Sequence, residues 1–98
     1  MNIAVRRLGY NDIDDMERVE AETWDPELRA SRETMLERME RFPQGFMGVY
    51  SDGILAGMTF AHRIEYVRKS WEENSSMESF HPEGKILYLV TVSYTHLR

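Results

Sequence analysis

The opening run Ile3-Ala4-Val5-Arg6-Arg7-Leu8 sets apolar against charged positions and stops at Gly9, which predicts a short strand. Asn11 or Asp12 is then placed to offer a side-chain oxygen to free helix amides, and Asp14, Asp15 and Glu17 sit where the helix dipole favours negative charge. Ile13, Met16, Val19, Thr23 and Trp24 recur within an arc of roughly 140°, the signature of an amphipathic helix with one buried stripe. Asp14 and Arg18 are spaced for an i,i+4 ion pair on that helix. Asp25-Pro26 ends it, because proline disfavours helical geometry at the residue before it. A second helix is predicted from near Ser31, a good cap, with Met35, Leu36, Met39 and Phe42 on one face and Pro43 and Gly45 as its stop.

Two apolar runs follow, residues 45–50 and 54–61, joined by Ser51-Asp52-Gly53. Asp-Gly supplies the positive φ of a tight turn, so this is an antiparallel hairpin. Neither run alternates cleanly with polar residues, the pattern of a sheet built to be covered on both faces. Residues 62–84 are polar with scattered aromatics and read as one long connection, a binding loop, a lid or a plain insertion. Residues 85–93, rich in β-branched and aromatic side chains, form the most strand-like segment. The order strand, helix, helix, strand, strand, loop, strand defines an α/β (α+β) fold with a mixed, mostly antiparallel sheet. Two helices suffice to cover one face only, and the last, most apolar strand keeps an open edge. The chain is therefore expected to be the front part of something longer.

Composition narrows the function. The 98 residues carry 12 Lys+Arg against 17 Asp+Glu, a net charge of −5, which argues against nucleic acid as a partner. With no cysteine there is no disulfide, thiolate nucleophile or Cys-based zinc site, and the three histidines lack metal-ligand spacing. No apolar run approaches the roughly 20 residues of a membrane span and no signal peptide opens the chain, so a cytoplasmic location is expected.

The order of elements, with the hairpin Gly48-Val49-Tyr50-Ser51-Asp52-Gly53-Ile54-Leu55-Ala56-Gly57 and the strand Ile86-Leu87-Tyr88-Leu89-Val90-Thr91-Val92-Ser93, resembles the N-terminal half of a GNAT (Gcn5-related) N-acetyltransferase. The resemblance covers residues 1–92 and implies acetyl-CoA as co-substrate and a primary amine, small-molecule or peptide, as acceptor; it leaves a homodimer open. In that family the fourth strand leads into an R/Q-x-x-G-x-G/A loop that binds pyrophosphate, and this chain contains no such loop, so it is expected to be incomplete and inactive. Residues 93–98 resemble translated adapter read-through, which implies a tail foreign to the natural sequence. The alternative is a complete interaction module that recruits a partner strand to its open edge.

The resemblance also implies site residues. The backbone amide of Val92 corresponds to the family's oxyanion donor, and pantetheine would pair with the backbone from Val92 through Ser93 to Tyr94. Tyr88 stands where some members carry a glutamate base, and a phenol is a poor base at neutral pH. The residues themselves offer Glu20, a carboxylate within the apolar stripe, or else a side chain that snorkels to the helix edge or pairs with Arg6 or Arg7. They also offer Glu83 and His62, the latter at the end of the third strand, or else simply a surface histidine. Trp24, Asp25 and Phe60, with Trp71 and Phe80, could line an amine pocket or serve as plain packing. Residues 12–27 hold eight acids against Arg18 alone, a local charge of −7 that would draw a cationic amine if it is not merely solvated.

Overall fold

In the computed structural model, which describes residues 2–95, the chain runs β1 (Ile3–Arg7), α1 (Ile13–Thr23), α2 (Arg32–Arg41), β2 (Phe46–Ser51), β3 (Ile54–Ile64), α3 (Trp71–Ser75) and β4 (Ile86–Tyr94). The 3₁₀ turns Tyr10–Asp12, Pro43–Gly45 and Met77–Ser79 complete it. The strands lie in sequence order in one sheet, and every pairing among the described residues is antiparallel. The predicted hairpin is present: Asp52 at φ 50° and Gly53 at φ 82° form its two-residue turn.

The stripe of α1 (Ile13, Met16, Val19) and that of α2 (Met35, Met39) pack with Phe46, Leu55, Met58 and Phe60 into one core. Both helices thus cover a single face. The opposite face carries Val5, Met47, Val49, Leu87, Leu89 and Val92, all exposed. Burial in β2 alternates, so the apolar residues that blur its sequence pattern are the ones pointing away from the helices.

Two bulges set the registers. Ala56 is the extra residue of β3 opposite β2, and Val90 is the extra residue of β4 opposite β3, between the pairs Phe60–Thr91 and Ala61–Leu89. A bulge inserts one residue and exchanges the faces of everything beyond it. Leu87 and Leu89 point outward; past Val90, Val92 is outward and Ser93 fully buried.

Local expectations fared unevenly. Ser31 caps α2, its Oγ accepting from the Thr34 amide at 3.1 Å. Asp12 does not cap α1. Its carboxylate turns back to accept from the Gly9 amide (2.8 Å), the Tyr50 hydroxyl (2.8 Å) and both Nη atoms of Arg6 (2.9 and 3.2 Å), because a forked guanidinium is the stronger partner. Asp14 does not pair with Arg18 either. Arg32 bridges Asp14 and Glu17 at 2.7 Å each, while Arg18 reaches across to the Leu55 carbonyl at 2.8 Å. The connection after β3 is no plain loop: Ser70 caps α3 through the Glu73 amide, and Phe80 bridges back to Ile64.

The Arg6 guanidinium, the Gly9 amide and the Tyr50 hydroxyl together hold the Asp12 carboxyl down at about 2 against the cost of burial, while burial and the hydrogen bond to the Asp12 carboxylate push the Tyr50 phenol up to about 12 against the pull of Arg6. A carboxyl depressed in the folded state stabilises fully above its unfolded value of 3.8, and the contribution is lost as pH falls towards 2. Replacing Asp12 by Asn should cost about 1–2 kcal/mol at neutral pH and flatten that acid limb in urea melts recorded between the two pH values.

Candidate functional site

The site begins where α1 stops. Thr23 ends the helix and Trp24 is extended, at φ −122° and ψ 146°. The Asp25 carbonyl then accepts from the amides of Leu28 and Arg29 at 2.9 and 3.1 Å, which curls the chain into a tight turn. Arg29 ties the turn down by donating to the Trp24 carbonyl, 3.0 Å from Nη2. This turn swings the Ala30 amide onto the Glu20 carboxylate at 2.7 Å.

Glu20 is almost wholly buried, and neither Arg6 nor Arg7 satisfies it. Its second oxygen accepts a short hydrogen bond from the Ser93 hydroxyl, and Ser93 in turn accepts from the Trp24 indole N–H at 3.0 Å. One carboxylate therefore fastens α1, the turn before α2 and the end of β4 to one another. Both its oxygens are occupied, so it acts as a keystone rather than a free base. Ser93, which the tail resemblance would make foreign, is fully integrated here; His96 to Arg98 lie outside the described residues.

Beside this knot opens a cleft of about 630 Å³, bounded by Glu20, Trp24 and Arg29, by Arg38 of α2, by Trp71 of α3, and by Val90, Thr91 and Val92 of β4. Arg38 lies partly buried over the Phe60 ring, 5.2 Å from its centroid. Its Nε is buried without a hydrogen-bond partner, and among the described residues no carboxylate forms an ion pair with the guanidinium. Burial pulls it below its ordinary value, with Glu20 and Glu37 acting in the opposite sense.

The backbone of β4 faces this cleft at its free edge. The Tyr94 amide donates to Thr23 Oγ1 at 3.0 Å, and the Tyr94 carbonyl lies 2.8 Å from the same hydroxyl. Backbone groups alternate between the two edges of a strand, so Val92 presents its N–H and C=O on that same edge, away from β3. Tyr94, expected to pair with a ligand, is already engaged by Thr23.

The other expected residues scatter. Trp24 and Val92 reach the cleft, whereas Asp25 is exposed and contributes only its carbonyl to the turn. Phe60 does not line a pocket; it is fully buried beneath Arg38. His62 neither ends β3 nor sits at the surface, being fully buried inside the strand, and Tyr88 is its partner across β4, away from the cleft. Glu83 lies in an exposed turn, its amide donating to His81 Nδ1 at 3.1 Å. Arg38 escaped the sequence reading, although its spacing of three from Met35 and its place beside Met39 put it on the edge of the apolar stripe.

Sequence comparison finds no matching family model and no matching curated protein. Solved structures do match. The loading GNATL domain of CurA from Lyngbya majuscula superposes with a TM-score of 0.84 at 18% identity, over 96% of this chain and 48% of that one. The GphF GNAT-like decarboxylase in complex with isobutyryl-CoA gives 0.80 at 26% identity, over 94% and 48%. The PaiA N-acetyltransferase from Thermoplasma acidophilum in complex with coenzyme A gives 0.51 at 21%, over 62% and 50%. The chain spans about half the length of these structures. The fold is a partial GNAT-type fold, an acyltransferase-type architecture.

Ser93→Ala would strand the Glu20 carboxylate and the Trp24 indole together, and should cost about 1–3 kcal/mol in denaturant melts. Adding Glu20→Leu should return part of that loss, since the unpaired charge goes with it. Strict additivity of the two substitutions would mean that the contact carries no coupling energy.

Proposed function

We propose that this chain supplies the acyl-binding half of a GNAT-type acyl-CoA enzyme, with the thioester carbonyl oxygen at the Val92 amide. The observation that carries the reading is the free backbone edge of β4 at Val92, opening directly onto an aromatic-walled cleft. Acyl chemistry on a thioester builds negative charge on that oxygen, and a fixed N–H at the edge of a sheltered cleft is the group that stabilises it. In the first reading the acyl group is acetyl and passes from acetyl-CoA to a primary amine. The amine nitrogen attacks the carbonyl carbon, the tetrahedral oxyanion rests on Val92, and coenzyme A leaves as thiol once a proton reaches its sulfur.

A second reading is favoured by Arg38. An uncompensated guanidinium on the cleft wall suits an anion and repels an ammonium ion. Together with the decarboxylase activity named for GphF, the 26% identical neighbour, this supports an acyl group that itself bears a carboxylate. The bond from that carboxylate to the α-carbon would break, carbon dioxide would leave, and the electron pair would move onto the thioester oxygen as an enolate. The same Val92 amide would hold that charge until a proton reaches the α-carbon.

The two readings separate by product. The enzyme that contains this chain is incubated with acetyl-CoA plus a panel of primary amines, or with a 2-carboxyacyl-CoA such as malonyl-CoA, and mass spectrometry follows amide formation and loss of carbon dioxide. Val92→Pro, tolerated where the amide faces outward from an edge strand, should lower either turnover by about 100-fold. Arg38→Met should abolish decarboxylation while sparing acetyl transfer. Full turnover of the proline variant would remove Val92 from the chemistry.

A further inference from the structure

Behind the cleft, β3 buries a polar knot that the acyl chemistry does not use. His62 is fully buried, with its Nε2 2.6 Å from the Asn74 carbonyl oxygen and 3.4 Å from Ser79 Oγ. A carbonyl can only accept, so the proton of the neutral ring resides on Nε2 and the lone pair on Nδ1. Nδ1 is buried and has no partner among the described residues. The ring is wedged between Phe60 and Phe80, with centroids 5.9 and 6.1 Å away. The charges acting on it are all guanidinium: Arg38 and Arg41 from α2, and Arg68 from the segment before α3.

What His62 holds is the far wall of the cleft. Asn74 knits the short α3 by accepting from the Arg68 amide at 2.8 Å and donating to the carbonyls of Arg68 and Ser70 at 3.1 and 2.9 Å. Ser79 Oγ closes the knot onto the carbonyls of Asn74 and Ser76 at 2.9 and 2.7 Å. Trp71 and Ser75, which line the cleft, ride on that single turn of helix. One turn is not stable alone, so it stays ordered only while its anchor holds.

We propose that His62 is a positioning residue for the cleft: its neutral imidazole fastens α3 to β3, and protonation at Nδ1 releases the Trp71–Ser75 wall. The added N–H would point into a closed core with nothing to accept it, facing three guanidinium groups. Burial holds the ring below its ordinary value of 6.5, with the three arginines adding to the effect and the bond to Asn74 opposing it. For a histidine so depressed, the opened state binds the proton more readily. The wall is therefore firm above about pH 7 and loosens as pH falls below 6.5.

The functional consequence rests on the acyl reading of the cleft, and the experiment keeps the two apart. Amide hydrogen exchange across residues 68–80 is followed without ligand, corrected for intrinsic rates, at pH values from about 7 to about 5. In the native protein, protection should fall over that range. His62→Gln keeps a donor for the Asn74 carbonyl and does not titrate, so its protection should hold flat. His62→Leu should exchange about tenfold faster at every pH. Identical pH profiles for the native protein and the glutamine variant would overturn the proposal, and that comparison decides it even if the leucine variant does not fold. Isobutyryl-CoA binding, read by calorimetry over the same range, should weaken in step with exchange in the native protein alone. No binding at pH 7 in either protein would sink the acyl reading while the exchange data still decide the anchor.

Discussion

A single extra residue in β4 organises the site. Without the bulge at Val90, strict alternation would turn Ser93 towards the exposed face and Val92 towards the helices. With it, the Ser93 hydroxyl meets a carboxylate that α1 would otherwise bury without a donor from the sheet, and the Trp24 indole finds an acceptor. Val90 and Thr91 then line the cleft, and Val92, its side chain outward, meets it along the strand's backbone edge. Packing, polar satisfaction and the shape of the cleft thus follow from one register change.

The two buried carboxylates of α1 and its approach show how differently such charge can be accommodated. Asp12 is answered by a cation, Arg6, whose guanidinium is half exposed and also stacks on the Tyr50 ring at 4.3 Å. Glu20 is answered by neutral donors alone, a backbone amide and a hydroxyl. A cation there would have had to enter the core beside Met16 and Val19, at a desolvation cost that neutral donors avoid. The consequence is that Arg38, close enough to feel Glu20, is left without a paired carboxylate.

What could be read in advance divides along the range of the interaction. The Asp52–Gly53 turn, the Ser31 cap and the two helical stripes are set by neighbours within a few residues, and each stands as its pattern implied. The bulge at Val90 leaves no trace in Leu89-Val90-Thr91-Val92, because any of those residues fits a regular strand; only the partners offered by β3 choose the register. The five-residue α3 was hidden for the same reason, its order coming from His62 on a strand rather than from its own propensity. Glu20 did stand out as an acid within an apolar stripe. Its partner lies 73 residues away, beyond the reach of any local pattern.

Electrostatics is where counting misleads most. The excess of acids between residues 12 and 27 suggests a field that draws cations, yet most of them are spent internally. Asp12 faces Arg6, Asp14 and Glu17 share Arg32, Glu22 meets Arg18, and Glu20 is enclosed by dipoles. Pairs this close cancel within a few ångströms, whereas a partly desolvated guanidinium with no ion-pair partner acts further into the cleft. A ligand entering beside Trp24 therefore meets Arg38 before it senses the acidic surface of α1. Arg38 and Arg29 thus place two guanidinium groups without carboxylate ion pairs among the described residues on the cleft wall, beside the enclosed Glu20 carboxylate.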